Sequence, residues 1–402
     1  MFLAGEWSIT GRRLDVVETG VHVKQLRQRY CIVGVGNTPY GKNPGVSALA
    51  HNVMAIHAAI ADAGLTTDQI DGVLTKAPSS NFPMLWAPKV AEALRIVPRV
   101  TGTLDQAGAS NIGLIQYAIS ALELGQAEYI ACAYGDNPAT GDRATYARPR
   151  GDDAVAGLFG APSSYAMIAR RHMYEYGTTH EQLGNVAIAH RTHASMNPNA
   201  HFREPITHDD YEHSRWVAEP FHLLDCCPVS DGGAAYIITS EDRAKDLGKP
   251  LVYIEGIGQG HPSWDFYRRG DLATSGAKVA GEMAFTSAGL GPRDIDFAEI
   301  YDCFTVVPLI TLEDYGFVKK GEGGGFYEDQ RTHVGGEFPI NTAGGLLSET
   351  GMPGTQLVVE AVRQLRGEGG ERQVADAEVG LVSQQGGIMT THATMILSKG
   401  GG

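Results

Sequence analysis

Cysteine is the first residue type in this sequence whose chemistry could define a function, because a thiolate is both a nucleophile and a metal ligand. The chain of 402 residues contains five cysteines, namely Cys31, Cys132, Cys226, Cys227 and Cys303. They form no Cys-x-x-Cys pair, and no His-x-x-x-His pair accompanies them, so a structural zinc site is not expected. An odd number of cysteines in a long chain is typical of reduced thiols. We expect each one to be a small buried apolar residue.

Histidine offers a second set of candidates. His190, His193 and His201 lie in one His-rich stretch, and the i, i+3 spacing of the first two could suit a metal. No carboxylate or cysteine completes a ligand set, so solvated or capping roles are the favoured interpretation. His392 lies near the last predicted strand, where it could reach a catalytic site from the final loop or serve as a core or interface residue. Both alternatives for His392 stay open.

Composition excludes several classes of protein. Asp plus Glu total 46 against 32 Lys plus Arg, a net charge of −14, which argues against a nucleic-acid binder because phosphate contacts need a basic face. No apolar run reaches the roughly 18 residues that cross a bilayer, so no membrane span is expected. The charged N-terminus lacks the apolar stretch of an export signal, which predicts a cytoplasmic protein. The 51 glycines lie in scattered short clusters and indicate tight turns and close backbone approaches.

The elements that must position these residues follow a βαβ pattern. A predicted strand over 31–35 ends in a Gly/Asn/Pro turn, and the amphipathic helix that follows ends at Gly64 before another strand. Residues 63–71 recur as residues 288–296, at a constant offset of 225, and a second ordered match follows in each half. Two ordered matches favour duplication of a βαβαβ unit, which predicts parallel strands in a layered α/β fold.

The repeat also predicts the domain organisation. Residues 1–28 look like an N-terminal arm, residues 29–245 form the first half, and residues 246–402 form the second half. Within the first half, a segment at about 137–225 does not repeat and is rich in charged, His and aromatic residues. We expect this segment to be an inserted loop domain that covers a site.

Three motifs carry a family resemblance. They are Asp302-Cys303-Phe304-Thr305, the stretch LDCCPVSDGGAA at 224–235, and INTAGG at 340–345. These segments resemble the thiolase superfamily, and most closely the sterol-carrier-protein type of thiolase and the lipid-transfer-protein aldolases. The resemblance covers nearly the whole chain from about residue 29. It implies a duplicated thiolase-like fold with five layers in the order α-β-α-β-α and an inserted loop domain.

Thiolases use a nucleophilic cysteine, an activating histidine, a second acid/base cysteine and an oxyanion hole. By the resemblance, Gly108 stands at the nucleophile position, Gly351 at the histidine position, and Ser383 opens the segment of the second cysteine. All three catalytic groups are therefore absent, and the other cysteines lie where the family uses them for packing. Ser110 could donate a hydrogen bond or cap its helix. The resemblance implies substrate binding by Gly108, Ser110, Asn341, Gly344, Gly345, Gly351 and Ser383.

Tyr301 is the remaining catalytic candidate. It precedes Asp302 in a segment similar to the Tyr-Asp-x-Phe of the family's aldolases, and a phenol there could act as an acid or base. The alternative is a tyrosine that simply packs at a strand end. Those aldolases carry a second tyrosine where this chain has Gly351. Gly351 could therefore widen the site for a bulkier substrate, or another residue could take over the role of that tyrosine. The site could also be inactive, or Gly351 could be an ordinary turn residue.

The resemblance predicts an aldolase that cleaves a β-hydroxyacyl-CoA, such as a steroid or lipid side-chain thioester, with Tyr301 and His392 as catalytic candidates. The alternatives are a non-catalytic thiolase-like subunit of an acyl-CoA complex and an acetyl-CoA acyltransferase. A CoA thioester is expected as substrate, without a bound cofactor. The resemblance also implies a homodimer and a separate OB-fold/zinc-ribbon partner protein.

Overall fold

The computed structural model describes residues 25–80, 83–141, 155–158 and 160–400. Most of the predicted arm at 1–28, and residues 142–154 of the predicted loop domain, lie outside these ranges. The strands are β1 (Tyr30–Asn37), β2 (Gly72–Lys76), β3 (Val100–Leu104), β4 (Ile130–Asp136), β5 (Trp216–Ala218), β6 (Phe221–His222), β7 (Gly232–Ser240), β8 (Val252–Gly260), β9 (Phe297–Ile300), β10 (Val379–Gly386) and β11 (Thr391–Lys399). The helices are α1 (Ala48–Asp62), α2 (Trp86–Ala93), α3 (Ser110–Glu123), α4 (Gly160–Tyr176), α5 (His180–Ser195), α6 (His208–His213), α7 (Glu241–Ala244), α8 (Ala277–Ala288), α9 (Val306–Tyr315), α10 (Gly323–Phe326) and α11 (Thr355–Arg366).

Nine of the strands form one mixed sheet in the order β3-β2-β4-β7-β1-β8-β11-β10-β9. The first five come from the first half of the chain and the last four from the second half. The two halves join edge to edge where β1 pairs antiparallel with β8, with Cys31 opposite Tyr253. In the second half, Ile340 forms a single parallel bridge with Ala298 of β9. Ile340 therefore takes the position beside β9 that β3 takes beside β2 in the first half. The strand order is therefore duplicated, as the repeat predicts.

The helices separate into three layers. α3 and α11 each contact strands of both halves and so lie between the two half-sheets, whereas α1 packs on the first half and α8 on the second. Glycines let the outer helices approach closely. A β-carbon on Gly34 of β1 would lie 2.2 Å from the carbonyl oxygen of Ala59 in α1, and one on Gly258 of β8 would lie 2.0 Å from that of Ala280 in α8. The predicted α-β-α-β-α layering is confirmed.

The sequence repeat corresponds to equivalent places in the two halves. Gly64 follows α1 at φ +70° and Gly289 follows α8 at φ +66°, so both glycines supply the left-handed residue that ends a helix. The next strands begin at Gly72 and Phe297, which preserves the offset of 225 (297 − 72 = 225). The amphipathic helix and the strand that follows it thus recur as one unit.

Between β4 and β7 the chain leaves the sheet and forms α4, α5, α6 and the small hairpin β5–β6. α5 packs against a π-helical turn at Gly345–Glu349, which belongs to the second half. This packing brings the inserted segment against the loops at the ends of β9 and β10. Among the helices of the described ranges, none is long and apolar enough to cross a membrane.

Candidate active site

Tyr301 lies directly after β9, and its ring occupies the space beside Gly108. Its N–H donates to the carbonyl of Ser383 at 2.9 Å, which extends the pairing of β9 with β10. A β-carbon on Gly108 would lie 2.6 Å from Cε2 of Tyr301 and 2.1 Å from the carbonyl oxygen of Gln385. No side chain fits at position 108 in this arrangement. The phenol ring therefore takes the place where the resemblance puts the thiolase nucleophile.

The opposite side of the ring is closed by the turn that starts α11. A β-carbon on Gly354, whose φ is +87°, would lie 3.1 Å from Cδ2 of Tyr301. The side chain of Gln384 fixes this turn, because its Nε2 donates to the Gly354 carbonyl at 2.6 Å. Its Oε1 also accepts from the N–H of Ile112, in the first turn of α3, at 3.3 Å. Gln384 thus links the first turns of both central helices beside Tyr301.

Asn111 makes a second link between these helix ends. Its Nδ2 donates to the Pro353 carbonyl at 2.6 Å, and its Oδ1 accepts from the Thr355 hydroxyl at 2.7 Å. The N-terminus of a helix carries a positive partial charge. Two such termini beside the Tyr301 ring favour negative charge on a phenolate or on a substrate oxygen.

The main chain on both sides of Tyr301 is fixed by buried polar side chains. Before it, Asn341 donates to the Ile300 carbonyl at 2.8 Å and accepts from the Ile300 N–H at 2.6 Å. After it, one carboxylate oxygen of Asp302 accepts from the Leu346 N–H at 2.6 Å. Asn341 and Asp302 are both fully buried.

The other predicted glycines and Ser110 have specific neighbours. Gly345, at φ +60°, leaves room for Asp302, since its β-carbon would lie 2.4 Å from a carboxylate oxygen. Gly344, at φ +107°, gives room to Ala194 of α5. The Ser110 hydroxyl accepts from the Gln106 N–H at 2.8 Å and donates to a carbonyl one turn earlier, so it closes the turn that holds Gly108. These residues shape the loops around Tyr301.

Gly351 does not open a space. A β-carbon there would lie 1.6 Å from the carbonyl oxygen of Pro228, so main chain from the inserted segment fills the position. The Gly351 N–H donates to the Ser230 hydroxyl at 3.2 Å, which holds the two segments together. The alternative that Gly351 widens the site for a larger substrate is wrong, because the Pro228 carbonyl takes up that volume.

Ser383 and His392 lie in the ladder of β10 and β11. The Ser383 hydroxyl bonds to the Tyr315 hydroxyl at 2.6 Å, and the Ser383 carbonyl accepts from the Tyr301 N–H. His392 is fully buried opposite Gln385, and neither ring nitrogen has a hydrogen-bond partner among the described residues, which include Tyr301. Burial, with a smaller effect of the nearby Arg269, lowers the pKa of His392 to about 3, which keeps the ring neutral.

The five cysteines are not prepared for nucleophilic attack. Burial raises the pKa of both the Cys31 and the Cys227 thiol to about 12. Burial also raises the pKa of Cys132, Cys226 and Cys303. A thiol that stays protonated at neutral pH is a poor nucleophile. In the part of the chain that the structure describes, no group of three or more His, Cys, Asp or Glu side chains could hold a metal ion.

Several residues near Tyr301 escaped the sequence-based prediction. Gln385 donates from Nε2 to the Tyr165 hydroxyl at 2.6 Å and to the Cys303 sulfur at 3.2 Å. His190 and His193, for which we expected solvated or capping roles, are fully buried, so that interpretation is wrong. The adjacent glutamines at the end of an otherwise apolar strand, in VGLVSQQGG, were a signal that could have pointed to this site.

Comparisons with known proteins identify the family. A family model described as "Thiolase C-terminal domain-like" matches residues 258–399. A steroid side-chain-cleaving aldolase of Thermomonospora curvata is 37% identical over 380 residues, which are 90% of this chain and 96% of the relative. A 17-hydroxy-3-oxo-4-pregnene-20-carboxyl-CoA lyase of Mycobacterium tuberculosis is 36% identical over 385 residues, 91% of this chain and 98% of the relative.

A solved structure gives the same result. The chain matches a chain of the Ltp2-ChsH2(DUF35) aldolase with a TM-score of 0.84 and 36% identity, over 93% of this chain and 98% of the matched one. Sequence identity at this level over almost the full length of both proteins shows common ancestry as well as a common fold. The chain belongs to the thiolase superfamily, in the branch that contains the sterol-carrier-protein thiolases and the steroid side-chain-cleaving aldolases.

Proposed function

We propose that the chain is an aldolase that cleaves the Cα–Cβ bond of a β-hydroxyacyl-CoA, with Tyr301 as its acid/base residue. The observation that carries the proposal is the phenol ring in the space beside Gly108, where a thiolase would hold its nucleophile. The raised pKa of the Cys227 and Cys303 thiols argues against an acyl-cysteine intermediate. A retro-aldol cleavage needs a base and a site for an oxyanion, and it needs no covalent intermediate.

The proposed step balances without a redox partner. The Tyr301 phenolate takes the proton of the substrate β-hydroxyl, the Cα–Cβ bond breaks, and the β-carbon leaves as an aldehyde or ketone. The electron pair of that bond forms the enolate of the thioester. Main-chain N–H groups at the starts of α3 and α11 are the proposed donors to its oxygen. The phenol then returns the proton to Cα, which gives the shortened acyl-CoA.

The names of the relatives suggest the substrate class. One is named for steroid side-chain cleavage and the other for a steroid carboxyl-CoA. We therefore propose a steroid or lipid side-chain thioester of CoA as the substrate, with no bound cofactor. The reaction is proposed to take place in the cytoplasm, where the five thiols would stay reduced.

A homodimer and a separate OB-fold/zinc-ribbon partner are proposed as the working assembly. Strand β3 is one edge of the nine-stranded sheet, and an unpaired edge is a surface to which another chain can pair. Met84 and Leu85, before α2, are 89% and 74% exposed, and such apolar exposure favours a protein contact. The matched Ltp2 aldolase carries a second component in its name, ChsH2(DUF35). Light scattering of the purified chain, alone and with such a partner, measures both associations.

The test compares Tyr301→Phe with Tyr253→Phe. Tyr253 is a buried tyrosine at the start of β8, where its hydroxyl donates to Glu241. Each protein is incubated with a panel of β-hydroxyacyl-CoA and β-ketoacyl-CoA esters, with and without candidate partners, and products are identified by mass. We expect carbonyl release by the wild type, a loss of about 10²-fold or more in Tyr301→Phe, and little change in Tyr253→Phe.

Other outcomes would assign other functions. Unaltered cleavage by Tyr301→Phe would remove the proposed base. Acetyl-CoA release with consumption of free CoA would indicate an acyltransferase. The glycine at position 351, where the family's aldolases carry a second tyrosine, favours the second candidate function, a non-catalytic subunit. The absence of any turnover with every partner would support that candidate.

A further inference from the structure

Two buried histidines on one face of α5 reach the residues on either side of Tyr301. His190 and His193 are one helical turn apart, so their side chains leave the helix in the same direction. Both are fully buried, and each forms hydrogen bonds with the second half of the chain. The helix itself belongs to the segment inserted between β4 and β7.

His190 fixes the residue that follows Tyr301. Its Nδ1 donates to one carboxylate oxygen of Asp302 at 2.6 Å, while the other oxygen accepts from the Leu346 N–H, also at 2.6 Å. The main chain of Gly345 packs directly against the same carboxylate. The Asp302 carboxylate is therefore held from three sides, and a movement of residue 302 would disturb a buried hydrogen bond between an imidazole and a carboxylate.

His193 fixes the residue that precedes Tyr301 through one intermediary. Its Nε2 accepts from the Val334 N–H at 3.0 Å, so Nδ1 carries the proton and donates to the Asn341 carbonyl at 3.1 Å. The Asn341 side chain in turn bonds both the N–H and the carbonyl of Ile300. The ring of His193 is neutral, because burial lowers its pKa to about 3.

We propose that His190 and His193 are positioning residues, which hold the main chain around Tyr301 so that its phenol stays at Gly108. The inserted segment thus contributes to the reacting geometry as well as covering the site. The idea rests on the proposed function of Tyr301. A displacement of about 1 Å in a catalytic group can cost about 10²-fold in rate, so small shifts of residues 300–302 matter.

His172 supplies a matched control. It is also fully buried in the inserted segment, where Nδ1 contacts the Thr178 hydroxyl at 2.7 Å and Nε2 contacts the Glu313 carboxylate at 3.0 Å. Replacement of His172 or of His190 by leucine removes a buried imidazole–carboxylate contact. Only His190→Leu releases the residue next to Tyr301. His190→Asn is the rescue, because its amide nitrogen can occupy the position of the imidazole Nδ1.

The first measurement is the kinetics of folded protein. We expect His190→Leu to lower kcat about 10- to 100-fold with KM within about twofold, and His193→Leu to act in the same direction. His172→Leu should keep wild-type kcat, and His190→Asn should recover most of it. Equal kcat in His190→Leu and wild type, or equal losses in His190→Leu and His172→Leu, would overturn the proposal.

The second measurement does not require turnover. In protein labelled with 3-fluorotyrosine, the ¹⁹F resonance of Tyr301 is the one of 16 tyrosine signals that Tyr301→Phe removes. It should shift in His190→Leu and stay in place in His172→Leu. An inactive wild type with this pattern would reject the aldolase and support the positioning role. An active wild type whose Tyr301 signal stays unchanged in His190→Leu would reject the positioning role alone.

Discussion

Substitution of Gly108 by alanine tests whether the position of the Tyr301 ring depends on the absence of a side chain at residue 108. The added β-carbon would lie 2.1 Å from the Gln385 carbonyl oxygen and 2.6 Å from Cε2 of Tyr301. A real β-carbon keeps about 3.0 Å or more from such atoms, so its distance from the Gln385 oxygen must grow by about 0.9 Å (3.0 − 2.1 = 0.9) and its distance from the Tyr301 ring by about 0.4 Å (3.0 − 2.6 = 0.4). The Gln385 oxygen belongs to the sheet, so the turn at Gly108 must shift away from it, and the Tyr301 ring must give way as well.

The expected magnitude follows from that displacement. Overpacking of a buried site costs about 1–3 kcal/mol of the free energy of unfolding. A displacement of the phenol of up to about 1 Å, if the ring follows the turn, should reduce kcat by up to about 10²-fold. Steady-state cleavage of the best β-hydroxyacyl-CoA measures the second effect, and urea unfolding measures the first.

The control is Gly248→Ala, at an exposed position with no atom within 4 Å of the added β-carbon. It should leave kcat and the urea midpoint unchanged. Gly108→Cys should behave like Gly108→Ala and gain no thiolase activity, because the sulfur would have to enter the space of the Tyr301 ring. Wild-type kcat in Gly108→Ala would refute the reasoning, and acyl-enzyme formation by Gly108→Cys would do the same.

Three other perturbations have expected outcomes. Gly351→Tyr should lower the urea midpoint by an amount equivalent to about 1–3 kcal/mol or more and should not raise kcat, because the Pro228 carbonyl fills the position; a gain in kcat would contradict the geometry. Iodoacetamide at pH 8 should leave cleavage unaffected, since the pKa of the Cys31 and Cys227 thiols is about 12, and inactivation that tracks one alkylated cysteine by mass would show otherwise. For His392 the folded-state pKa of about 3 lies below the ordinary 6.5, so its stabilising effect is complete above pH 6.5 and is lost as the pH falls toward 3. When the pH is lowered from 7.5 to 5.0, the free energy of unfolding measured with urea should therefore fall by about 2 kcal/mol less in His392→Leu than in the wild type. Equal decreases in the two proteins would contradict the buried neutral ring.

The sequence predicts the fold well because the signals for the fold are local. A glycine after an amphipathic helix marks its end in both halves, and Gly64 and Gly289 both adopt the left-handed conformation that this role needs. The constant offset of the repeat then predicts that the βαβ pattern of the first half recurs in the second half. The motif around Asp302 likewise predicts the candidate site at the end of β9.

The contacts within the candidate site could not be predicted from local patterns, because the residues that form them lie far apart in the chain. His190 meets Asp302 across 112 residues, and the spacing of His190 and His193 looks the same for a solvated helix face as for a buried one. The role of Gly108 depends on a ring from the other half. From the sequence, the lack of a side chain at Gly351 suggests an empty space, but the carbonyl oxygen of Pro228 occupies that space. Only the packed structure reveals which of these positions are empty.

Duplication also has a consequence for the residue of the first half that corresponds to Tyr301. The offset of 225 makes Lys76, at the end of β2, the counterpart of Tyr301 in the first half (301 − 225 = 76). Lys76 is 3% exposed, donates to the Ala77 carbonyl, and has its Nζ 4.9 Å from the centroid of the Tyr134 ring. The first half thus holds a buried lysine where the second half holds a phenol, so the role proposed for Tyr301 has no chemical equivalent at the corresponding position of the first half.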